Sequence, residues 1–208
     1  MMEFYGVIKV STSIFLLQTI YCFAFFDGVL DKTLLAALAS SAGYLLGISM
    51  GLSSAVHYLG LPNVYLKYRR HLGVTGFLYA LIYSIALLAI SPQSYLNEFP
   101  FRLFTAINLL GIFSMAVLAV MALLSNNFAI SFLGFKCWKN IMGLGYWAYF
   151  SLVLRASLIE ADVWLSWIIT PTTLPPPRLL LSVFAIAVIV LGLSRQVKAK
   201  RPLQVFQS

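Results

Sequence analysis

The chain has 208 residues, of which 61% are hydrophobic and only 10% are charged, whereas soluble domains carry roughly a quarter charged residues. This composition excludes an ordinary soluble domain and predicts a chain that lies mostly in lipid. The net charge of +8 does not indicate nucleic-acid binding, because the basic residues form short clusters between apolar segments. Cys22 and Cys137 lie apart without histidine-rich surroundings, so neither a disulfide framework nor a metal site is predicted.

Six apolar runs are predicted to cross the bilayer, for which about 20 residues are needed, with each boundary placed to within about four residues. The predicted spans are 4–26, 33–60, 72–90, 103–124, 141–159 and 179–193. The apolar stretch 164–177 is not counted, because Pro171 and the prolines at 175–177 forbid a continuous helix. That stretch is predicted to lie at the membrane interface or to re-enter shallowly, with Trp164 and Trp167 among the headgroups. The sequence therefore predicts one all-α domain over 1–208, a polytopic membrane protein with a bundle of about six transmembrane helices.

Successive predicted spans cross the membrane in opposite directions, which places the charged residues between them on two sides. One side collects Lys9, Lys67, Arg69, Arg70, Lys136, Lys139, Arg195, Lys198, Lys200 and Arg201. The other side has Lys32, Arg102 and Arg178 together with Asp27, Asp31, Glu98, Glu160 and Asp162. Because cytoplasmic loops carry the excess of Lys and Arg, both termini are predicted to be cytoplasmic, and 195–208 to be a short basic cytoplasmic tail.

The second predicted helix has small residues at every fourth position from 39 to 55, including Gly43, Gly47 and Gly51. Small residues at this spacing let another backbone approach closely, which favours helix association in lipid. The seam is predicted to be a helix contact, either inside this bundle or with a second protein.

Three stretches resemble one known family. They are RRHLG at 69–73 followed by FLYALIY at 77–83; LLSN at 123–126; and LGFKCWK at 133–139 followed by Leu144 and Tyr146. The region 41–155 thus resembles the ferric reductase-like transmembrane family, and especially the haem-binding membrane subunit of the bacterial periplasmic methionine sulfoxide reductase system. The resemblance implies six helices with cytoplasmic ends, and b-type haem held between histidines on the third and fifth helices for electron transfer across the membrane.

The haem-ligand positions implied by the resemblance do not carry histidine here. They fall at Tyr83 on the third helix and at Met142 and Arg155 on the fifth. Arginine stays protonated and offers iron no lone pair, whereas tyrosine and methionine can both ligate haem. Met142 with His71, at about the same depth near the cytoplasmic face, is the one substitute haem pair that this sequence allows.

The same residues also have simpler interpretations. His71 belongs to a basic cluster with Lys67, Arg69 and Arg70 that would contact lipid phosphates at the membrane surface. Arg155 either extends its guanidinium to the outer headgroups or faces the bundle interior beside Tyr83, where it would hydrogen-bond a quinone, pigment or lipid carbonyl. The aromatic side chains near Arg155, Tyr149 among them, either line a pocket or simply pack.

Three functions are compatible with this pattern. The favoured one is a haem-less, non-enzymatic relative of the family, which serves as a structural, assembly or accessory subunit of a respiratory or photosynthetic membrane complex. The alternative is an electron-transfer protein that binds b-type haem through substitute ligands, or a quinone, and serves a redox partner. A small transporter is disfavoured because no carboxylate falls inside a predicted span. Lipid and other membrane subunits are the expected partners, nucleic acid is not, and the expected location is a bacterial inner membrane or a derived photosynthetic membrane.

Overall fold

The computed structural model describes the backbone of residues 2–90, 105–171 and 174–200. Over these residues the predicted all-α class is confirmed. There are seven α-helices, with a short 3-10 turn at Asn63–Tyr65 before the third, and no strand appears in the described ranges. The helices are α1 Met2–Phe25, α2 Leu30–Leu59, α3 Leu66–Ile90, α4 Ala106–Leu123, α5 Asn127–Leu133, α6 Phe135–Ile169 and α7 Pro177–Lys200.

Five helices are long and apolar enough to cross a membrane, as expected of an integral membrane protein with several spans. They are Tyr5–Phe25, Leu30–Leu59, Leu66–Ile90, Ala106–Leu123 and Pro177–Ser194. The remaining predicted span, 141–159, lies within the longer α6. The total of six spans therefore stays a prediction.

Helix α2 is the centre of the bundle and packs against α1, α3, α6 and α7. It is the most buried of the five apolar helices, because its small residues let its neighbours approach from several sides. Gly60 ends α2 in the left-handed conformation, at φ 64°, which glycine adopts without a steric penalty.

Several predicted boundaries are corrected by the structure. Helix α3 begins at Leu66 rather than at 72, so the basic cluster forms its first turns instead of a loop. Helix α6 continues through Trp164 to Ile169, with a kink at Glu160 (φ −114°, ψ 15°), so the stretch after 160 is helical. The short α5 was not predicted, and the first residues of the predicted tail extend α7 to Lys200.

Helix α6 does stop just before Pro171, because the residue that precedes a proline disfavours helical angles; Thr170 has φ −131° and ψ 82°. The proline therefore ended the helix as expected, but it did not prevent helix before it. Some predictions fall outside the described residues, namely the start of the fourth span at 103, the charges Glu98 and Arg102, and the end of the tail at 201–208.

Contacts between helix ends define two ends of the bundle. At the first, which we name the basic end, lie the starts of α1, α3 and α6 and the ends of α2, α4 and α7. The contacts that place them are Gly6 with Tyr68, Arg69 with Ser53, Tyr58 with Ser194, and Trp138 with Leu124. At the opposite end, Tyr21 bonds to Pro175 and Glu160 to Arg178. Lys9, Lys67, Arg69 and Arg70 belong to the basic end, whereas Arg178 belongs to the opposite one.

Candidate functional site around Arg155 and Tyr149

The predicted haem-ligand positions lie on helices that are not principal neighbours. Tyr83 is on α3, which packs on α1, α2 and α4, whereas Met142 and Arg155 are on α6, which packs on α2, α4, α5 and α7. All three side chains are half-buried. Within the described residues, no hydrogen bond, ion pair or ring contact joins Tyr83 to either position on α6. The role of these three positions as haem ligands stays a prediction.

The predicted substitute pair is likewise not joined by a contact in the described part of the chain. His71 is half-buried in the first turns of α3, and its backbone carbonyl accepts a hydrogen bond from the Thr75 hydroxyl at 2.8 Å. Met142 is half-buried on α6. Ligation by these two side chains stays a prediction.

Tyr149 occupies the middle of the bundle. It is fully buried, at 0% exposure, and its hydroxyl donates a hydrogen bond across the helices to the Gly43 carbonyl of α2 at 3.0 Å. It belongs to a core cluster formed by α2, α4, α6 and α7, whose buried members include Leu46, Met50, Leu118 and Val153. Of the two interpretations of the aromatic residues near Arg155, packing is the one that Tyr149 follows.

The glycine seam of α2 faces another helix of the same chain. Gly43 lies against Leu181, Gly47 against Phe184 and the Tyr149 hydroxyl, and Gly51 against Val188. A Cβ atom at Gly47 would come within 2.5 Å of both Phe184 and Tyr149. The absence of a side chain at position 47 is therefore what admits both rings, and the seam is an internal contact between α2, α6 and α7.

Arg155 is held by a second glycine contact, between α6 and α4. A Cβ atom at Gly111 of α4 would lie 2.8 Å from Nε of Arg155 and 3.0 Å from its Cδ. The Nε atom is buried and has no hydrogen-bond partner. Sequence reasoning identified Arg155 but missed Gly111, because a single glycine in an apolar helix does not indicate which side chain will cross it.

A polar cluster closes the end opposite the basic end, where α6 bends. Glu160 forms an ion pair with Arg178 of α7 at 2.8 Å, with both side chains 23% exposed, and its other carboxylate oxygen accepts the Trp164 indole N–H at 3.4 Å. Nearby, the Tyr21 hydroxyl of α1 donates to the Pro175 carbonyl at 2.6 Å. These contacts join α1, α6 and α7 at the level where each reaches this end of the bundle.

The members of the predicted basic cluster differ in their surroundings. Arg69 is used inside the fold, since its Nη1 donates to the Ser53 hydroxyl at 2.9 Å and its carbonyl accepts the Ser49 hydroxyl at 2.6 Å. Lys67 and Arg70 are exposed, and the Lys67 ammonium lies 5.3 Å from the centre of the Tyr68 ring. Arg69 thus ties α3 to α2, and contact of Lys67 and Arg70 with lipid phosphates stays a prediction.

Comparison with known proteins adds no relative to this description, since no family model matches the chain and no curated protein matches it.

Proposed function

We propose that this chain is a six-span membrane protein with both ends in the cytoplasm, and that it is a haem-less accessory subunit of a respiratory or photosynthetic membrane complex. The observation that carries the proposal is the state of the ligand positions implied by the family resemblance. Tyr83, Met142 and Arg155 stand where the resemblance implies histidines, and the fully buried Tyr149 occupies the bundle centre. The proposal therefore keeps the membrane scaffold that the resemblance implies and leaves out iron held between two histidines.

The sixth span is supported by the length of α6 between its polar boundaries. Trp138 donates to the Leu124 carbonyl at the basic end, and Glu160 binds Arg178 at the opposite end. The 19 residues predicted as the span, 141–159, extend about 29 Å at about 1.5 Å per residue, close to the hydrocarbon thickness of about 30 Å. The exposed residues of this stretch are mainly apolar, among them Trp147 and Phe150, as a lipid-facing surface requires.

The cytoplasmic orientation can be tested with the two natural cysteines. Cys137 is exposed at the start of α6, at the basic end, whereas Cys22 is buried. A membrane-impermeant maleimide should label inverted vesicles and leave intact cells or right-side-out vesicles unlabelled, and Cys137→Ser should abolish the labelling. Labelling of Cys137 from the outside would overturn the orientation.

The accessory role is tested by the size of the native assembly. The tagged chain, expressed at its natural level and released from native membranes in a mild detergent, should migrate in a native gel at a mass well above that of a 23.1 kDa chain in detergent, together with constant partner subunits. The recombinant chain purified alone is the control for size. A protein that migrates alone from native membranes would refute the accessory role.

A further inference from the structure

The charge of Arg155 is not matched by any acid in the described part of the chain. Arginine remains protonated in proteins, and charges inside a membrane are retained where they meet a partner. Glu160 is engaged with Arg178, Asp27 and Asp162 are exposed outside the spans, and Asp31 is exposed in the first turn of α2. Arg155 itself forms no hydrogen bond or ion pair with a described residue, and its Nε is buried without an acceptor.

The direction of the Arg155 side chain disfavours the nearer headgroups as its partner. Arg155 lies five residues before Glu160, about 8 Å deeper at about 1.5 Å per residue. Side chains on a helix lean toward its N-terminus, which for α6 is the basic end, and so away from the nearer surface. The contact of Cδ and Nε with Gly111 shows that the side chain crosses sideways to α4 instead of rising along α6.

The surface around this crossing is apolar and open. Leu158 and Ile159, one turn from Arg155, are 50% and 46% exposed, and Ile112, next to Gly111, is 48% exposed. Among the described residues, a helix laid on this surface would meet these aliphatic side chains and the cation of Arg155. The partner that matches such a surface is an apolar helix with one carboxylate at the depth of the guanidinium. An ion pair with that carboxylate would neutralise the guanidinium in hydrocarbon.

We propose that the exposed face formed by α4 and α6 around Arg155 docks a transmembrane helix of a partner subunit, and that Arg155 binds an Asp or Glu side chain of that helix. This inference rests on the proposed accessory function and specifies its interface. The carboxylate would accept from the guanidinium, while Gly111 keeps the path across α4 open and Leu158, Ile159 and Ile112 supply the apolar contact.

The experiment is photo-crosslinking in native membranes from p-benzoylphenylalanine placed at Leu158. We expect a protein adduct whose crosslinked segment is a transmembrane helix that contains Asp or Glu. Arg155→Met should lower the adduct at least tenfold and Arg155→Lys should retain most of it. Replacing the partner's acid with its amide should lower the adduct as Arg155→Met does. A crosslinker at Val190 of α7, which is 57% exposed, is the control, and its adducts should not respond to position 155.

Three outcomes would overturn the proposal. The first is an adduct that Arg155→Met leaves unchanged, and the second is crosslinking to lipid alone, which would assign Arg155 to a headgroup phosphate. The third is loss of the adduct in Glu98→Gln, because the acid would then belong to this chain.

Thermal unfolding of the purified chain distinguishes partner binding by Arg155 from a purely structural role within its own bundle. Without its partner the chain carries an unpaired intramembrane charge, so Arg155→Met should unfold at the same or a higher temperature than the natural chain. A lower temperature would show that Arg155 stabilises its own bundle and would overturn the interface. Failure of this proposal is also distinct from failure of the accessory role, since the chain would then still migrate in a complex whose size does not depend on Arg155.

Discussion

Gly47→Ala is expected to damage the bundle although it adds one methyl group. The added Cβ would lie 2.5 Å from Phe184 Cε1 and 2.5 Å from the Tyr149 hydroxyl, with the ring carbon that bears the hydroxyl at 3.2 Å. Tyr149 cannot swing away at low cost, because it is fully buried and its hydroxyl is tied to the Gly43 carbonyl. The bundle must therefore separate α2 from α6 and α7 or lose that hydrogen bond.

The expected size of the effect follows from these two terms. Overpacking a close contact costs about 1–3 kcal/mol, and a lost hydrogen bond between membrane helices costs about 0.6 kcal/mol. We expect Gly47→Ala to lower the free energy of unfolding by about 2–3 kcal/mol. For a chain of this length, a change of 1 kcal/mol shifts the midpoint by about 2–4 °C, so the unfolding temperature should fall by roughly 5–10 °C.

The assay is thermal unfolding of the purified chain in one detergent, with two glycine controls. At Gly51 the nearest atom to an added Cβ is Val188 Cγ2 at 3.4 Å, an ordinary contact, and at Gly143 nothing lies within 4 Å. Gly51→Ala should change the midpoint by less than about 2 °C, since neither overpacking nor a lost hydrogen bond is expected there. Gly143→Ala should raise it slightly, because alanine is the better helix former. A midpoint for Gly47→Ala equal to that of the controls would refute the steric reasoning.

Three further substitutions test the polar contacts between helices. Tyr149→Phe should lower the stability by about 0.6–1 kcal/mol through the lost hydrogen bond to the Gly43 carbonyl. In the Gly47→Ala background the same substitution should cost less than it does alone, which the unfolding midpoints of the natural chain, the two single variants and the double variant would reveal. Equal costs in the two backgrounds would contradict the shared contact. Glu160→Gln should destabilise by at most about 1 kcal/mol because the pair with Arg178 is partly solvated, with a smaller difference at high salt; a salt-independent loss would contradict the ion pair. Ser49→Ala should cost about 1 kcal/mol, measured by the same thermal assay, since the Arg69 carbonyl loses its side-chain donor from α2; a neutral effect would contradict that contact.

The sequence pattern predicted the helical class and the approximate positions of the apolar helices because hydropathy reports directly on contact with lipid. It placed the start of α3 too late for the same reason. Half of the residues at 66–71 are Lys or Arg, so they end the hydropathy signal at 72. Lys and Arg are nevertheless good helix formers, and the helix begins at Leu66. Hydropathy marks the edge of the hydrocarbon and not the end of the helix.

The sequence indicated individual residues of the candidate site but not which residues contact one another. The regular spacing of Gly43, Gly47 and Gly51 indicated a packing seam, but which helix would fill it depends on side chains 100 or more residues away, such as Tyr149 and Phe184. No local pattern carries that pairing. The crossing of Arg155 over Gly111 is of the same kind, because it depends on the angle between two helices, and neither sequence alone sets that angle.

The visible spectrum of the purified chain tests the central claim most directly. The full chain, purified from native membranes in a mild detergent, should show no stoichiometric Soret band either as isolated or after reduction with dithionite, because the ligand positions carry Tyr83, Met142 and Arg155. A stoichiometric Soret band that shifts on reduction would contradict the account. If that band disappeared in His71→Ala or Met142→Ala, the substitute haem pair would replace the haem-less function proposed above.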